Sequence, residues 1–214
     1  MKNPKQLHVE GKADQYAIAS LMSWHVEWGS REKDWPVLIC AAGSYSEMLE
    51  NNYIPTLLQT NSKALSNIGF VIDADLSCEG RWDSLRRLCL PLFPDIPIDL
   101  PTGGLIVVNG DRRLGVWIMP DNSSLGMLET FIASLIECDD PDLWKFTKQA
   151  SGDALDHNAK YKIYHLDKAH VHAWLAWQNP PGQPLGEAFL TKCLNAKHEL
   201  AKPFINWFRE LYEV

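Results

Sequence analysis

Apolar and polar positions fall into short alternating blocks along the first half of the chain. Leu7-His8-Val9 leads into Glu10-Gly11-Lys12, a short strand, a glycine turn and a helix start. Ala17, Leu21, Trp24 and Trp28 recur at i, i+4, i+7 and i+11 and predict one helical stripe facing a core. Residues 37–41 read as a second strand, ended by Gly43, and Ser44 with Glu47 has capping-box spacing for a following helix. Pro55 should break or restart that helix. Residues 68–72 form a third strand, an apolar run of the kind buried at the centre of a parallel sheet, and it ends in Asp73-Ala74-Asp75. Trp82, Leu85, Leu88, Cys89 and Leu92 predict another helical stripe.

The proline-rich stretch 91–101 reads as a loop. Residues 105–108 and 114–119 flank Asn109-Gly110-Asp111, a hairpin signal that predicts two antiparallel strands. A helix carrying Leu125, Leu128, Ile132, Leu135 and Ile136 follows, with Glu129 at the edge of its apolar stripe. Beyond Pro141 the pattern turns mostly helical: a polar, loop-like stretch over 153–158, an all-round apolar helix over 168–177, and a break at Pro180-Pro181-Gly182. Phe204, Trp207, Phe208, Leu211 and Tyr212 make a last amphipathic helix. The expected architecture is α/β, a mostly parallel sheet flanked by helices, with an added β-hairpin and C-terminal helices. One domain over 1–214 is the simplest organisation, with a core at about 5–137 and a helical extension at about 141–214.

Composition narrows this picture without redirecting it. Hydrophobic residues make up 46% of the 214, enough for a sizeable core, and no apolar run is long enough to cross a membrane. The start, Met1-Lys2-Asn3-Pro4-Lys5, is polar rather than leader-like, so a cytoplasmic protein is expected. Five scattered cysteines with no CxxC pair argue against a zinc site or a disulfide framework. The net charge of −7 does not advertise a nucleic-acid binder; bound metal or a local basic face would have to offset it.

The chemistry concentrates at strand ends. In open α/β sheets ligands bind beyond the carboxyl ends of the strands, which is where Glu10 and Asp73-Ala74-Asp75 fall. Two carboxylates spaced i, i+2 suit a hard divalent cation, although most isolated Asp-x-Asp pairs are solvated turns. Asp14, in a first helical turn, is accounted for by the helix dipole alone. Arg81, Arg86 and Arg87 could be a solvated face or could draw an anionic substrate.

The order strand–Glu10-Gly11-Lys12 with Asp14, Gly43-Ser44, then strand–Asp73-Ala74-Asp75 resembles the TOPRIM family, shared by topoisomerases, bacterial primases, OLD-type nucleases and RecR-like proteins. Arg81-Trp82-Asp83-Ser84-Leu85-Arg86, Val116-Trp117-Ile118-Met119-Pro120-Asp121-Asn122 and Gly126-x-Leu128-Glu129 are similar to an uncharacterised bacterial TOPRIM-related family, DUF3226, over most of the chain. The resemblance implies Mg²⁺ or Mn²⁺ held by Glu10, Asp14, Asp73 and Asp75, with Glu129 as the further acid and Asp121 in reserve. It implies acid/base work for Glu10 and a late lysine against transition-state charge. Lys160, Lys162 and Lys168 are all available, and Lys168 is favoured as the start of a buried helix. Arg81, Arg86 or Arg87 would meet phosphate. The expected activity is phosphodiester cleavage of DNA or RNA. The chain is too short to carry a topoisomerase's tyrosine domain, and no GxxxxGK[ST] loop supports ATP hydrolysis, so any ATPase would be a partner protein.

Two rivals remain. A TOPRIM-derived binding or assembly module would use the fold without catalysis. A phosphatase of haloacid-dehalogenase type would use the DxD aspartate as nucleophile, but that motif normally opens its domain and here it is third in strand order. His165, His170 and His172 form a loose cluster whose i, i+2 pair suits a strand rather than the expected helix, so a metal site there is not favoured.

Overall fold

The computed structural model describes residues 3–50, 52–60 and 63–214; Met1 and Lys2, part of the polar start, lie outside them. Strands β1 (Lys5–Val9), β2 (Leu38–Ala41), β3 (Asn67–Asp73), β4 (Leu105–Asn109) and β5 (Arg112–Met119) form one sheet in the order β2-β1-β3-β5-β4. The pairs β1–β2, β1–β3 and β3–β5 are parallel, and the β4–β5 hairpin is antiparallel around Gly110-Asp111. The mostly parallel α/β sheet read from the sequence is therefore the observed one, with the hairpin at its edge.

Alternation along β3 and β5 explains why both runs are apolar throughout. Ile68, Phe70 and Ile72, with Leu114, Val116 and Ile118, enter the core on one face. Val71, Trp117 and Met119 enter the core on the other. A strand covered on both faces has no solvent side to carry polar residues. Helices α2 (Tyr45–Leu49), α3 (Tyr53–Gln59) and α4 (Cys78–Cys89) cover the first face. Helices α1 (Lys12–Met22), α5 (Leu128–Asp139), α7 (Leu166–Ala176) and α8 (Lys202–Tyr212) contribute to the second.

Helix α8 is seated by glycines. Gly69 and Gly115 are register partners in the middle of β3 and β5, and a Cβ on either would run into Leu211. The missing side chains make a groove across the sheet that Leu211 and Tyr212 fill. Tyr212 Oη then donates to the Gln6 carbonyl at 2.8 Å, and Asn67 Nδ2 donates to the Leu211 carbonyl at 2.7 Å.

Several expectations are corrected. Helix α1 stops at Met22, so Trp24 and Trp28 leave its stripe; Trp28 instead packs on Trp35 and Phe208 from the following loop. Leu125 precedes α5 and is exposed, and Leu92 lies past α4. The stretch 153–158 is mostly helical, because α6 (Pro141–Asp156) runs through it with polar residues facing outward. Helix α7 buries only His170, Val171, Trp174 and Leu175, whereas Lys168 and Trp177 are exposed.

Candidate functional site

The site is built from three turns that leave the carboxyl edge of the parallel sheet. Strand β1 ends at Val9, so Glu10 is the first residue beyond it, and its Oε1 accepts the Asp73 backbone N–H at 2.9 Å. Gly11 opens α1, and its N–H donates to Asp14 Oδ2 at 2.8 Å. Asp73 ends β3 and places Oδ1 on the Leu128 N–H at the start of α5, 2.9 Å away. Glu129, the next residue of α5, is 4% exposed and meets Lys168 Nζ of α7 at 2.9 Å through Oε1.

These groups sense one another. Burial pushes the Asp73 carboxyl up to about 9, reinforced by the charges of Glu10, Asp14 and Glu129, and the Leu128 N–H only partly offsets them. Burial also raises Glu10, against the Asp73 N–H and with the help of Asp14 and Asp75. Asp14 is raised by burial and by Glu129, opposed by the Gly11 N–H and by Lys168. Burial works against the charge on Lys168, and the Glu129 hydrogen bond with the Glu129, Asp14 and Asp73 charges outweighs it, holding the ammonium above its ordinary value. Lys168 thus faces Glu129, Asp14 and Asp73, Arg81 faces Glu10, and Asp73 is the carboxyl held most strongly in its protonated form.

The two aspartates of the DxD part company. Asp75 adopts φ +49°, a left-handed conformation that aspartate tolerates better than most residues. Its backbone pairs both ways with Gly126, at 2.7 and 3.0 Å, tying this turn to the entry of α5. Its carboxylate forms an ion pair with Arg81, whose guanidinium lies 3.3 Å over the Tyr45 ring centroid. Asp75 still faces Glu10 electrostatically.

Other sequence candidates lie elsewhere. Arg86 donates to the Pro97 carbonyl at 2.7 Å, and Arg87 to the Asp83 carbonyl of its own helix at 3.2 Å, so neither is brought to the acids. Asp121 accepts from the N–H and hydroxyl groups of Ser123 and Ser124; the Ser124 and Ser123 bonds outweigh burial and hold its carboxyl low, as in a solvated turn. No local pattern points to the Leu128 N–H as a partner for Asp73. Thr130 offers a partial signal, since its Oγ1 accepts the Met127 N–H at 3.1 Å and fixes that helix entry.

The donor set fits a hard divalent cation in kind: oxygen ligands only, with more negative charge than the protein neutralises. In position it is looser. Among the described residues no three or more His, Cys, Asp or Glu side chains stand where they could hold one metal ion. The bonds of Glu10, Asp14 and Asp73 run to separate backbone donors and do not converge on a point. Magnesium commonly takes only one or two protein carboxylates and completes its shell with water and phosphate, so the set remains suited to it.

The fold and this edge define the class: an α/β protein with a mostly parallel sheet and its acidic side chains gathered beyond the strands' carboxyl ends. The chain belongs to the family described as "Protein of unknown function (DUF3226)", whose model matches residues 4–213. No curated protein and no solved structure matches it. Among the described residues no helix is long and apolar enough to cross a membrane.

Proposed function

We propose that this protein is a divalent-metal-dependent phosphodiester-cleaving enzyme of TOPRIM type acting on DNA or RNA. The observation that supports this reading is the gathering of Glu10, Asp14, Asp73 and Glu129 from three segments at one edge of the sheet, with Lys168 beside Glu129, Asp14 and Asp73, where burial and the neighbouring acids raise Asp73 to about 9. Buried like charges of this kind do not stabilise a fold, and they cluster at functional sites. Asp73 and Glu10 would hold Mg²⁺ or Mn²⁺, with Asp14, Asp75 and Glu129 around them. When bound, the cation would neutralise phosphate charge and polarise the bond to be cleaved.

The chain's own residues then divide the work. Glu10 uses Oε1 to accept the Asp73 N–H, which leaves Oε2 as the atom to take or give a proton; burial moves its carboxyl toward that role. Lys168, held by Glu129, supplies positive charge toward the phosphate. Arg81 reaches the same edge through Asp75.

The test is cleavage of plasmid and single-stranded substrates by purified protein with Mn²⁺ or Mg²⁺, beside a metal titration of thermal stability. Activity abolished by Asp73→Asn and by Glu10→Gln is expected. No metal-dependent cleavage, together with a metal response unchanged in both variants, would overturn it. A binding or assembly module is the second reading, favoured by the Arg81 ion pair that already engages Asp75; it expects no Mg²⁺-dependent thermal shift and a tolerated Asp73→Asn.

A further inference from the structure

A cleft of about 640 Å³ opens beside the acids. The segments that carry Asp73, Glu129 and Lys168 also supply its wall, through Ala74, Asp75, Thr130 and Asp167. Beside Arg81 and Ser77, the remaining side chains of the lining are aromatic and aliphatic. Tyr45 lies under the Arg81 guanidinium, and Tyr164 meets the His165 ring edge-to-face at 4.4 Å. Leu76 and Leu125 are 74% and 59% exposed at its rim. A pair of leucines this exposed, beside part-exposed rings, gains nothing for the fold and suits a flat apolar ligand.

The aromatic lining of the cleft separates nucleic-acid forms. Its arginine, Arg81, is already paired with Asp75, and Asp167 adds a further carboxylate. Duplex binders depend on lysines and arginines along the phosphates, and this wall and the chain's charge of −7 offer no such stripe. Single-stranded binders also meet the backbone with basic groups but add aromatic faces that stack unpaired bases, and this wall has such faces. We propose that the cleft receives an unstacked base of a single-stranded nucleic acid, with Tyr164 and the Arg81–Tyr45 pair as stacking faces, and that this sets the substrate class. The proposal rests on the reading of the neighbouring acids as a phosphodiester site.

The experiment measures fluorescence anisotropy of a labelled, short, mixed-sequence oligonucleotide, single-stranded or annealed, in EDTA, where binding is read without cleavage. Single-strand binding tighter than duplex binding is expected; Tyr164→Ala should weaken it about tenfold, the scale of one lost base-stacking contact, and Leu125→Ala should weaken it less, as a rim contact. Both positions are exposed, so these variants should keep the fold. Phe146→Ala, an exposed aromatic on α6 outside the cleft, should change nothing. Duplex bound as well as single strand, no binding of either, or equal weakening by Phe146→Ala would overturn the proposal. Cleavage of duplex alone would sink it while leaving the metal-site reading intact. Tyr164-dependent binding with no Mn²⁺-dependent cleavage would do the reverse.

Discussion

Glu10 Oε1 accepts the Asp73 backbone N–H at 2.9 Å, so the acid beyond β1 is bonded to the residue that ends β3. The two strands are parallel neighbours, with Val9 and Val71 in register, and this brings their ends together. The bond also draws a carboxylate towards the Asp73 carboxyl, whose proton affinity burial and that charge raise; on Glu10 itself the bond opposes the rise that burial causes.

From that follows a gain in stability on removing the charge. The folded protein holds the Asp73 proton up to about pH 9, whereas an ordinary aspartate loses it near 3.8. This group's contribution is therefore complete below pH ~4 and is lost as pH rises towards 9. Asp73→Asn keeps an acceptor for the Leu128 N–H and carries no charge. It should raise unfolding stability near pH 8, where the native group holds a proton that the unfolded chain has released, and by almost nothing near pH 4. Urea melts at the two pH values check this; equal effects at both would contradict it.

A cation at these acids competes with that proton. The rise in melting temperature produced by Mg²⁺ or Mn²⁺ should therefore grow between pH 6 and pH 9 in the native protein and be small in Asp73→Asn. A metal-induced shift independent of pH would separate the metal from Asp73.

Glu129 and Lys168 make an unequal pair, one 5% and the other 48% exposed at the side chain. Lys168→Met would strand a carboxylate among other acids, whereas Glu129→Gln leaves an exposed lysine in solvent. The first should cost about 1 kcal/mol, a value kept low because solvent screens the half-exposed ammonium, and adding Glu129→Gln should restore most of it. Denaturant midpoints of the two single variants and the double variant form the needed cycle.

The acids at strand ends were legible because a strand followed by Glu-Gly or Asp-x-Asp is visible in the pattern alone. The aim of each side chain was not. Asp75 turns to Arg81 because its backbone is left-handed and bridged to Gly126, a contact between residues fifty-one apart in number that no local pattern encodes. Periodicity also overran α1, because Trp24 and Trp28 keep the helical spacing after the backbone has left the helix. It missed the last turns of α6, where a polar stretch of helix carries no apolar stripe to announce it.

The glycines of the central strands make the last prediction. Alternation predicts side chains at 69 and 115, yet both are glycine, in register, beneath α8. Helix α8 cannot slide away: Tyr212 Oη is bonded to the Gln6 carbonyl, Asn67 to the Leu211 carbonyl, and Trp207 Nε1 to the Leu105 carbonyl at 3.0 Å. An added methyl at 115 would therefore meet Leu211 with nowhere to go, and Gly115→Ala should cost roughly 1–3 kcal/mol as an overpacked core does. Gly152→Ala supplies the opposite sign. It lies inside α6, exposed, with nothing within 4 Å of a new Cβ, so the gain in helix propensity should stabilise by ~0.5–1 kcal/mol. Urea unfolding of the two variants measures both, and a neutral Gly115→Ala would mean that α8 is not held against the sheet by that groove.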